Sequence, residues 1–200
     1  MSSVPLSIEI WFDLASMYSY LSVMRIEKLA ASAGVHVQWE PFLLGPIFES
    51  FGWNSSPFVL QEEKGEYIWK DMARQCRKYG LPWKRPTVFP RNTALPVRVA
   101  LHGAREPWGP AFAQEMMLRN WERDEDISSE ACVRSALESL GLPAASVLAN
   151  ATSPQNKPRL RAQVEDARKR RIFGAPTFFA RGGMFWGNDR LEDALEAAQG

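Results

Sequence analysis

The chain has 200 residues, of which 46% are hydrophobic, and this suits one globular domain or one domain that carries a large insertion. Its 24 Lys and Arg residues nearly balance 23 Asp and Glu residues, so the net charge of +1 gives no general attraction to nucleic acid, and we expect no nucleic-acid partner. Residues 1–6 lack the basic and apolar pattern of a secretion signal, and no stretch is apolar for long enough to span a bilayer, so we expect a cytoplasmic protein without a membrane partner.

The first predicted unit is a strand, a turn and a helix. Residues 8–12 form an apolar run typical of a strand, and Leu21, Met24 and Leu29 recur after it at roughly helical spacing. Ser16 stands where the strand ends and the helix begins. A group at this place faces the positive end of a helix and several unpaired backbone N–H groups, which favour an anion or a thiolate.

A second strand is predicted at residues 35–41. Val35, Val37 and Trp39 alternate there with polar residues, and His36 falls on the polar side. We therefore expect His36 to be a surface residue.

The middle of the sequence is predicted to be mostly helical. Turn-forming residues at 52–57 indicate a loop, and a helix with apolar residues four apart ends at Gly80. Further helices are predicted over residues 108–121 and from Ser128 or Ser129 to residue 140. A long helical block between two strand-rich ends indicates a helical insertion in a small mixed sheet.

The last part of the chain returns to strands between two helices. A helix is predicted after Pro158, then an apolar strand at residues 172–180 that is interrupted by a proline. Gly182-Gly183 is predicted as a hairpin turn into a strand at residues 184–186, and residues 187–189 open the last helix.

A serine and two cysteines are the candidate nucleophiles. Ser16 would need a base for hydrolytic chemistry, and His36 and His102 stand in no recognisable triad setting, so Ser16 is interpreted as a helix N-cap or a ligand-binding residue. Cys76 and Cys132 are far apart in sequence and form no CxxC pair, so we interpret them as core thiols. No metal site is predicted.

Three segments carry a resemblance to a known family. The turn Ser-Met-Tyr-Ser-Tyr-Leu at residues 16–21, after Phe-Asp, resembles the active-site turn of the kappa-class glutathione transferases and the related 2-hydroxychromene-2-carboxylate isomerases, which share the thioredoxin fold with DsbA-type oxidoreductases. The usual family turn is Ser-Pro-Tyr, and Met17 stands in place of the proline. Gly-Ala-Pro-Thr-Phe-Phe at residues 174–179 is similar to the family's cis-proline loop, and Phe-Trp-Gly-Asn-Asp-Arg at residues 185–190 to its second fingerprint.

The resemblance covers nearly the whole chain and implies its fold. The expected class is α/β, a thioredoxin-like fold with a large helical insertion of the DsbA and kappa-class type. Residues 1–44 and 158–200 would form the thioredoxin-like domain, and residues 45–157 the inserted helical domain.

The resemblance also implies glutathione as cofactor. The Ser16 hydroxyl would donate a hydrogen bond to the glutathione sulfur, and the backbone of Ala175 would pair with the cysteinyl backbone. A trans proline on an edge strand remains the alternative at Pro176, and Asn188 or Asp189 remains explicable as an N-cap alone. The implied glutathione-binding residues are Ser16, Tyr18, Asn54, Ala175, Pro176, Trp186, Gly187, Asn188 and Asp189.

The inserted segment would supply the substrate half of the site. Lys64, Arg85 and Arg91, with Asn92, are placed by the resemblance where they meet carboxylates of substrate or glutathione, although each cation alone is also typical of a solvated surface charge. Tryptophan and phenylalanine residues nearby suit either an aromatic wall for a planar substrate or the core.

The implied activity is a glutathione-dependent isomerisation of 2-hydroxychromene-2-carboxylate to trans-o-hydroxybenzylidenepyruvate in the breakdown of naphthalene-like aromatics. A kappa-type transferase or peroxidase, or a glutathione-binding protein without catalysis, remains an alternative. The partner is then a small aromatic carboxylate. Members of these families are commonly dimers, so the resemblance implies a homodimer, although no apolar stripe in the sequence identifies an interface.

Overall fold

The computed structural model describes residues 6–200, so the part of the leader prediction that concerns residues 1–5 lies outside the described chain. Four strands form one sheet: β1 Ser7–Phe12, β2 His36–Pro41, β3 Thr177–Ala180 and β4 Gly183–Trp186. The first helices are α1 Met17–Val23, α2 Ile26–Ala33, α3 Gly45–Ser50, α4 Pro57–Leu60, α5 Glu62–Tyr79 and α6 Ala94–Gly103. The remaining helices are α7 Gly109–Trp121, α8 Glu130–Ser139, α9 Ala144–Thr152, α10 Lys157–Lys169 and α11 Leu191–Gln199, with a short 3-10 helix at Asn188–Arg190 before α11.

The sheet has the strand order β2-β1-β3-β4. β1 pairs in parallel with β2, and β3 pairs in antiparallel fashion with β1 on one side and β4 on the other. This mixed sheet, with a helical segment between β2 and β3, is the predicted α/β arrangement.

Both faces of the sheet are covered. Ile8, Ile10 and Phe12 point from β1 into the larger core cluster, together with α1, α2 and α11. Trp11 points the other way and packs in a second cluster with residues of α3 and α10. The alternation along β1 therefore serves two buried layers, as expected for a strand in the middle of a sheet.

The predicted first helix is divided in two, which corrects the expectation of one helix after Ser16. In a continuous helix the backbone N–H of Arg25 would donate to Leu21, but it donates to the Ser22 carbonyl at 3.1 Å. The Arg25 Nε donates to the Leu21 carbonyl instead, also at 3.1 Å, and its Nη2 donates to Asn188 Oδ1. The arginine side chain thus satisfies the carbonyl freed by the break.

The third strand is shorter than predicted, and the fourth begins one residue earlier, at Gly183. β3 begins after Pro176, because proline has no N–H for the ladder, and residues 172–176 form a loop closed by a hydrogen bond from Thr177 Oγ1 to the Gly174 carbonyl at 2.8 Å. The hairpin turn is Arg181-Gly182, with φ of 45° and 81°, and not Gly182-Gly183. Ala180 pairs with Gly183, so two residues with positive φ connect the strands.

Several predicted features of the remaining chain are confirmed. β2 begins one residue later than predicted and His36 is exposed, α5 ends at Gly80, and the predicted helices at 108–121 and after Ser129 are α7 and α8. Sequence periodicity did not separate α3, α4, α6 and α9. Buried residues of α5 to α9 belong to the same cluster as the sheet, so the boundaries at residues 44 and 158 stay a prediction.

Candidate active site

A cavity of about 1160 Å³ opens where the first helix begins, beside the end of β1. One side is formed by the turn before α1, by the loop before β3 and by the segment after β4. The opposite side is formed by residues 43–58 and by one face of α5. The cavity is lined by eleven of the thirteen predicted site residues, namely Ser16, Tyr18, Asn54, Lys64, Arg91, Asn92, Ala175, Trp186, Gly187, Asn188 and Asp189.

Ser16 is both a helix cap and a cavity residue. Its hydroxyl oxygen accepts from the backbone N–H of Ser19 at 3.2 Å, and the hydroxyl donates to the Ala175 carbonyl at 2.9 Å. Met17, in place of the usual proline, is almost fully buried, and the backbone of Ser16 (φ −90°, ψ 117°) has ordinary N-cap geometry. The turn therefore presents the serine at the helix N-terminus with methionine at the first helical position.

Asp13 supports this turn, a role that the sequence motif did not indicate. Its carboxylate is 3% exposed and accepts from the backbone N–H groups of Leu44 at 2.7 Å and Ala15 at 2.9 Å, and from the Thr93 hydroxyl at 2.9 Å. Burial raises the pKa of Asp13, and the three hydrogen bonds oppose that rise. The aspartate holds the turn, the chain after β2 and the start of α6 together at the cavity floor.

The loop before β3 brings Ala175 opposite Ser16. The Ala175-Pro176 peptide bond is cis, as the resemblance implied. Ala175 lines the cavity, whereas Pro176 is buried and accepts through its carbonyl from the Gly187 N–H at 3.0 Å. The Trp186 ring lies on the backbone of Gly174, where a Cβ would stand 2.3 Å from the indole nitrogen. This loop and the segment after β4 therefore form one wall.

The segment after β4 divides its polar groups between cavity and interior. Gly187 has a φ of 109°, which turns the chain into the short 3-10 helix. Asn188 is 5% exposed, and its Oδ1 accepts from the Ser22 hydroxyl at 3.1 Å and from Arg25 at 3.0 Å. Its side-chain oxygen is thus used to fix the segment. The Asp189 carboxylate, with 73% of the side chain exposed, faces the cavity.

The residues predicted within the insertion do not all reach the cavity. Asn54, Lys64 and Asn92 line it. Arg85 is exposed elsewhere and stacks over Trp69, with its guanidinium carbon 4.8 Å from the ring centroid. The structure therefore does not bring Arg85 to the other site residues.

Arg91 lines the cavity, but its guanidinium is used inside the protein. Nη1 donates to Asn120 Oδ1 at 2.7 Å, and Nη2 pairs with the Asp124 carboxylate. This arginine lowers the pKa of Asp124 from 3.8 to about 2. Asn120 donates in turn to the Leu14 carbonyl at 3.1 Å, so this network connects the insertion to the turn that bears Ser16.

One cavity group on α5, Asp71, was not predicted. Tyr67 and Asp71 follow Lys64 at helical spacing on the face of α5 that lines the cavity, and Asp71 accepts a hydrogen bond from the Tyr18 hydroxyl at 3.0 Å. Recurrence at 64, 67, 68, 71 and 75 is the sequence signal that would have identified this face.

A family model described as the DSBA-like thioredoxin domain matches residues 7–199. The chain belongs to this family. The solved structure of a 2-hydroxychromene-2-carboxylate isomerase superposes with a TM-score of 0.85 at 26% sequence identity, covering 96% of this chain and 93% of that chain.

Curated relatives agree with that similarity. The chain is 29% identical to a 2-hydroxychromene-2-carboxylate isomerase of Sphingobium xenophagum, with 96% of each protein covered. It is 27% identical to glutathione S-transferase kappa 1 of Rattus norvegicus, over 96% of this chain and 90% of the relative. These DSBA-like relatives support an enzyme of the isomerase or glutathione-transferase kind.

The DSBA-like turn of this chain contains no cysteine, and both thiols lie away from the cavity lining. Cys76 is buried in α5, and burial raises its thiol pKa to about 12. Cys132 is only half-buried, which corrects the expectation of a core position, and it lies beside Arg119 and Glu125. Burial also raises the pKa of Cys132.

Residues 6–200 also bear on metal binding and on membrane insertion. No group of three His, Cys, Asp or Glu side chains has the arrangement of a metal site in that part of the chain. None of its helices combines the length and apolar character needed to cross a bilayer.

Proposed function

We propose that the protein is a glutathione-dependent isomerase that interconverts 2-hydroxychromene-2-carboxylate and trans-o-hydroxybenzylidenepyruvate. The observation that carries the proposal is the Ser16 hydroxyl, held at a helix N-terminus, facing Ala175 across one end of a large cavity. The similarity to isomerases over 96% of the chain supports it. When bound, glutathione supplies a thiol nucleophile that adds to a conjugated carbon and leaves again unchanged.

The residues on the site's first side suit the γ-glutamyl and cysteinyl parts of glutathione. Backbone N–H groups at the start of the 3-10 helix suit the glutamyl carboxylate, and Asp189 suits the ammonium group. The backbone of Ala175 suits pairing with the cysteinyl residue. Ser16 then lies next to the sulfur, where the N-terminus of α1 favours a thiolate over a thiol.

The hydrogen bond between Ser16 and Ala175 supports a specific way for the site to accept glutathione. A serine hydroxyl has one hydrogen, and Ser16 donates it to the Ala175 carbonyl. Rotation about the Cβ–Oγ bond redirects this hydrogen to a sulfur without moving the oxygen from the Ser19 N–H. The Ala175 carbonyl then accepts from the cysteinyl N–H, so each group keeps a partner.

Lys64, Asn54 and Asn92 are proposed to meet the glycyl or substrate carboxylate on the other side of the cavity. Tyr18 and Trp186 are proposed to contact glutathione, with Pro176 and Asn188 holding the two loops that bind it. Further proposals are a cytoplasmic location, a homodimer and no nucleic-acid partner.

Calorimetric titration with glutathione and with S-methylglutathione tests the cofactor assignment. We expect saturable binding of both, with an ultraviolet thiolate band for glutathione alone. Absence of binding at millimolar glutathione would contradict the proposal.

The similarity to kappa-class transferases favours a second candidate, a transferase or peroxidase at the same site. It differs in consuming glutathione, so the amount of glutathione recovered after turnover separates the two. Tight binding without turnover would favour a glutathione-binding protein without catalysis.

A further inference from the structure

Tyr18 and Asp71 form a hydrogen-bonded pair on the cavity wall where α1 meets α5. The Tyr18 hydroxyl donates to Asp71 Oδ2 at 3.0 Å, and both residues line the cavity. Gln75, one turn further along α5, lies 3.5 Å from the other carboxylate oxygen. Because the tyrosine hydrogen points to Asp71, the lone pairs of the Tyr18 oxygen are left to accept a hydrogen from a ligand.

The wall around this pair suits a planar anion. Phe58 packs edge to face against the Tyr18 ring at 6.4 Å, and Tyr67 continues the aromatic surface on α5. Lys64 lies two turns before Asp71 on the same helix, with its Nζ 5.7 Å from the centroid of the Phe58 ring, and none of the salt bridges among residues 6–200 involves it. An aromatic carboxylate placed here would have its ring against these side chains and its charge toward Lys64.

Ring opening of the proposed substrate needs a proton to leave one oxygen and a proton to arrive at another. In 2-hydroxychromene-2-carboxylate the same carbon bears the hydroxyl and the ring oxygen. When the bond from that carbon to the ring oxygen breaks, its electron pair goes to the phenolic oxygen. The hydroxyl loses its proton to become the keto group, and the phenolic oxygen gains one, so no atom or electron is added or lost.

We infer that Tyr18 and Asp71 are the acid–base pair for this ring opening, an assignment that rests on the function proposed above. The hydroxyl proton of the substrate passes to the Tyr18 oxygen while the Tyr18 proton passes to Asp71. Reversal of the same two transfers delivers the proton to the phenolic oxygen. The pair ends in its starting state.

The electrostatic surroundings of Tyr18 support a relay role. Burial raises the pKa of Tyr18, and the neighbouring Asp71, Tyr67 and Asp189 raise it further. Tyr18 therefore stays neutral, so it passes a proton on and does not act as a tyrosinate base. Lys64 is the cation of this wall and is placed to hold the substrate carboxylate.

The test compares Asp71→Asn and Tyr18→Phe with Glu66→Gln, which removes an exposed carboxylate from α5 outside the cavity lining. We expect isomerisation kcat to fall about 10²-fold in the first two variants, as for loss of a general acid or base, and to stay unchanged in the third. Glutathione affinity and the thiolate band should be unchanged in Asp71→Asn and in Glu66→Gln, whereas Tyr18→Phe also removes a hydroxyl from a residue proposed to contact glutathione. Asp71→Glu should restore part of kcat.

Three results would overturn the assignment. Unchanged kcat in Asp71→Asn and Tyr18→Phe would exclude a catalytic proton transfer through the pair. A parallel loss of glutathione binding and kcat in Asp71→Asn would indicate that Asp71 has a structural role instead. A wild-type protein that binds glutathione but converts no hydroxychromene carboxylate would contradict the proposed function itself. The acid–base assignment of Tyr18 and Asp71, which rests on that function, would then also be wrong.

Discussion

Replacing Ser16 by alanine removes two hydrogen bonds from the active-site turn. The hydroxyl caps α1 by accepting from Ser19 and donates to the carbonyl of Ala175, which is 9% exposed. Loss of an N-cap costs about 1 kcal/mol, and loss of a side-chain hydrogen bond about 1 kcal/mol more. We therefore expect the free energy of unfolding to fall by about 2 kcal/mol, which lowers Tm by about 4–8 °C in a chain of this length.

The same change should make the thiolate form of bound glutathione less stable relative to the thiol. A hydrogen bond to a charged group contributes about 1.5–3 kcal/mol, and 1.36 kcal/mol corresponds to one pKa unit. Ser16→Ala should therefore raise the pKa of the bound thiol by about 1 to 2 and slow turnover at neutral pH. A pH titration of the ultraviolet thiolate band measures this pKa directly.

Ser129→Ala is the matched control. Ser129 caps α8 through the N–H of Cys132 at 3.2 Å and is not part of the cavity lining. Its hydroxyl also donates to the Asp126 carbonyl at 2.8 Å, so, like Ser16→Ala, the change removes two hydrogen bonds and should cost about 1–2 kcal/mol of stability while leaving the thiol pKa unchanged. If bound glutathione had the same thiol pKa in the Ser16 and Ser129 variants, the role assigned to Ser16 would be refuted.

Three further substitutions test separate parts of the account. Asp124→Asn breaks the buried pair with Arg91 and should lower the free energy of unfolding by about 3 kcal/mol. The folded pKa of Asp124 is about 2 against an ordinary 3.8, so its stabilisation is present above pH 3.8 and is lost as the pH falls toward 2. The free energy of unfolding in urea should therefore fall less steeply with decreasing pH in the variant than in the wild type. Parallel curves would contradict this. Asp189→Asn should weaken glutathione binding about tenfold in calorimetry. Binding of N-acetylcysteinylglycine, which lacks the ammonium group, should stay unchanged. The same glutathione affinity in the variant and the wild type would exclude the assigned contact. Gly174→Ala places a methyl group against Trp186 and should cost about 1–3 kcal/mol and change tryptophan emission, whereas unchanged emission and stability would mean that the ring does not lie on this backbone.

The ends of the chain could be predicted because local signals and family motifs agree there. The strand at residues 8–12, the cap at Ser16 and the turn segment at 187–189 each combine periodicity with a capping or turn residue. The break between α1 and α2 was missed because it depends on Arg25 reaching Asn188, a contact between residues 163 positions apart that periodicity does not report.

Long-range pairing also explains what the sequence did not reveal about the site. Arg91 looked like a solvated or substrate-binding cation, and its burial with Asp124 depends on how α7 ends against the segment before α6. Asp71 stands on an ordinary amphipathic helix, and only the folded chain brings it to Tyr18. The motif at the turn identified Ser16 but gave no indication of which α5 residues face it.

Conversion of 2-hydroxychromene-2-carboxylate, followed by its ultraviolet spectrum with glutathione at a small fraction of the substrate concentration, tests the central claim most directly. The account predicts many turnovers per glutathione, full recovery of glutathione, and no turnover when S-methylglutathione replaces it. Turnover without glutathione, or consumption of one glutathione for each substrate converted, would contradict it.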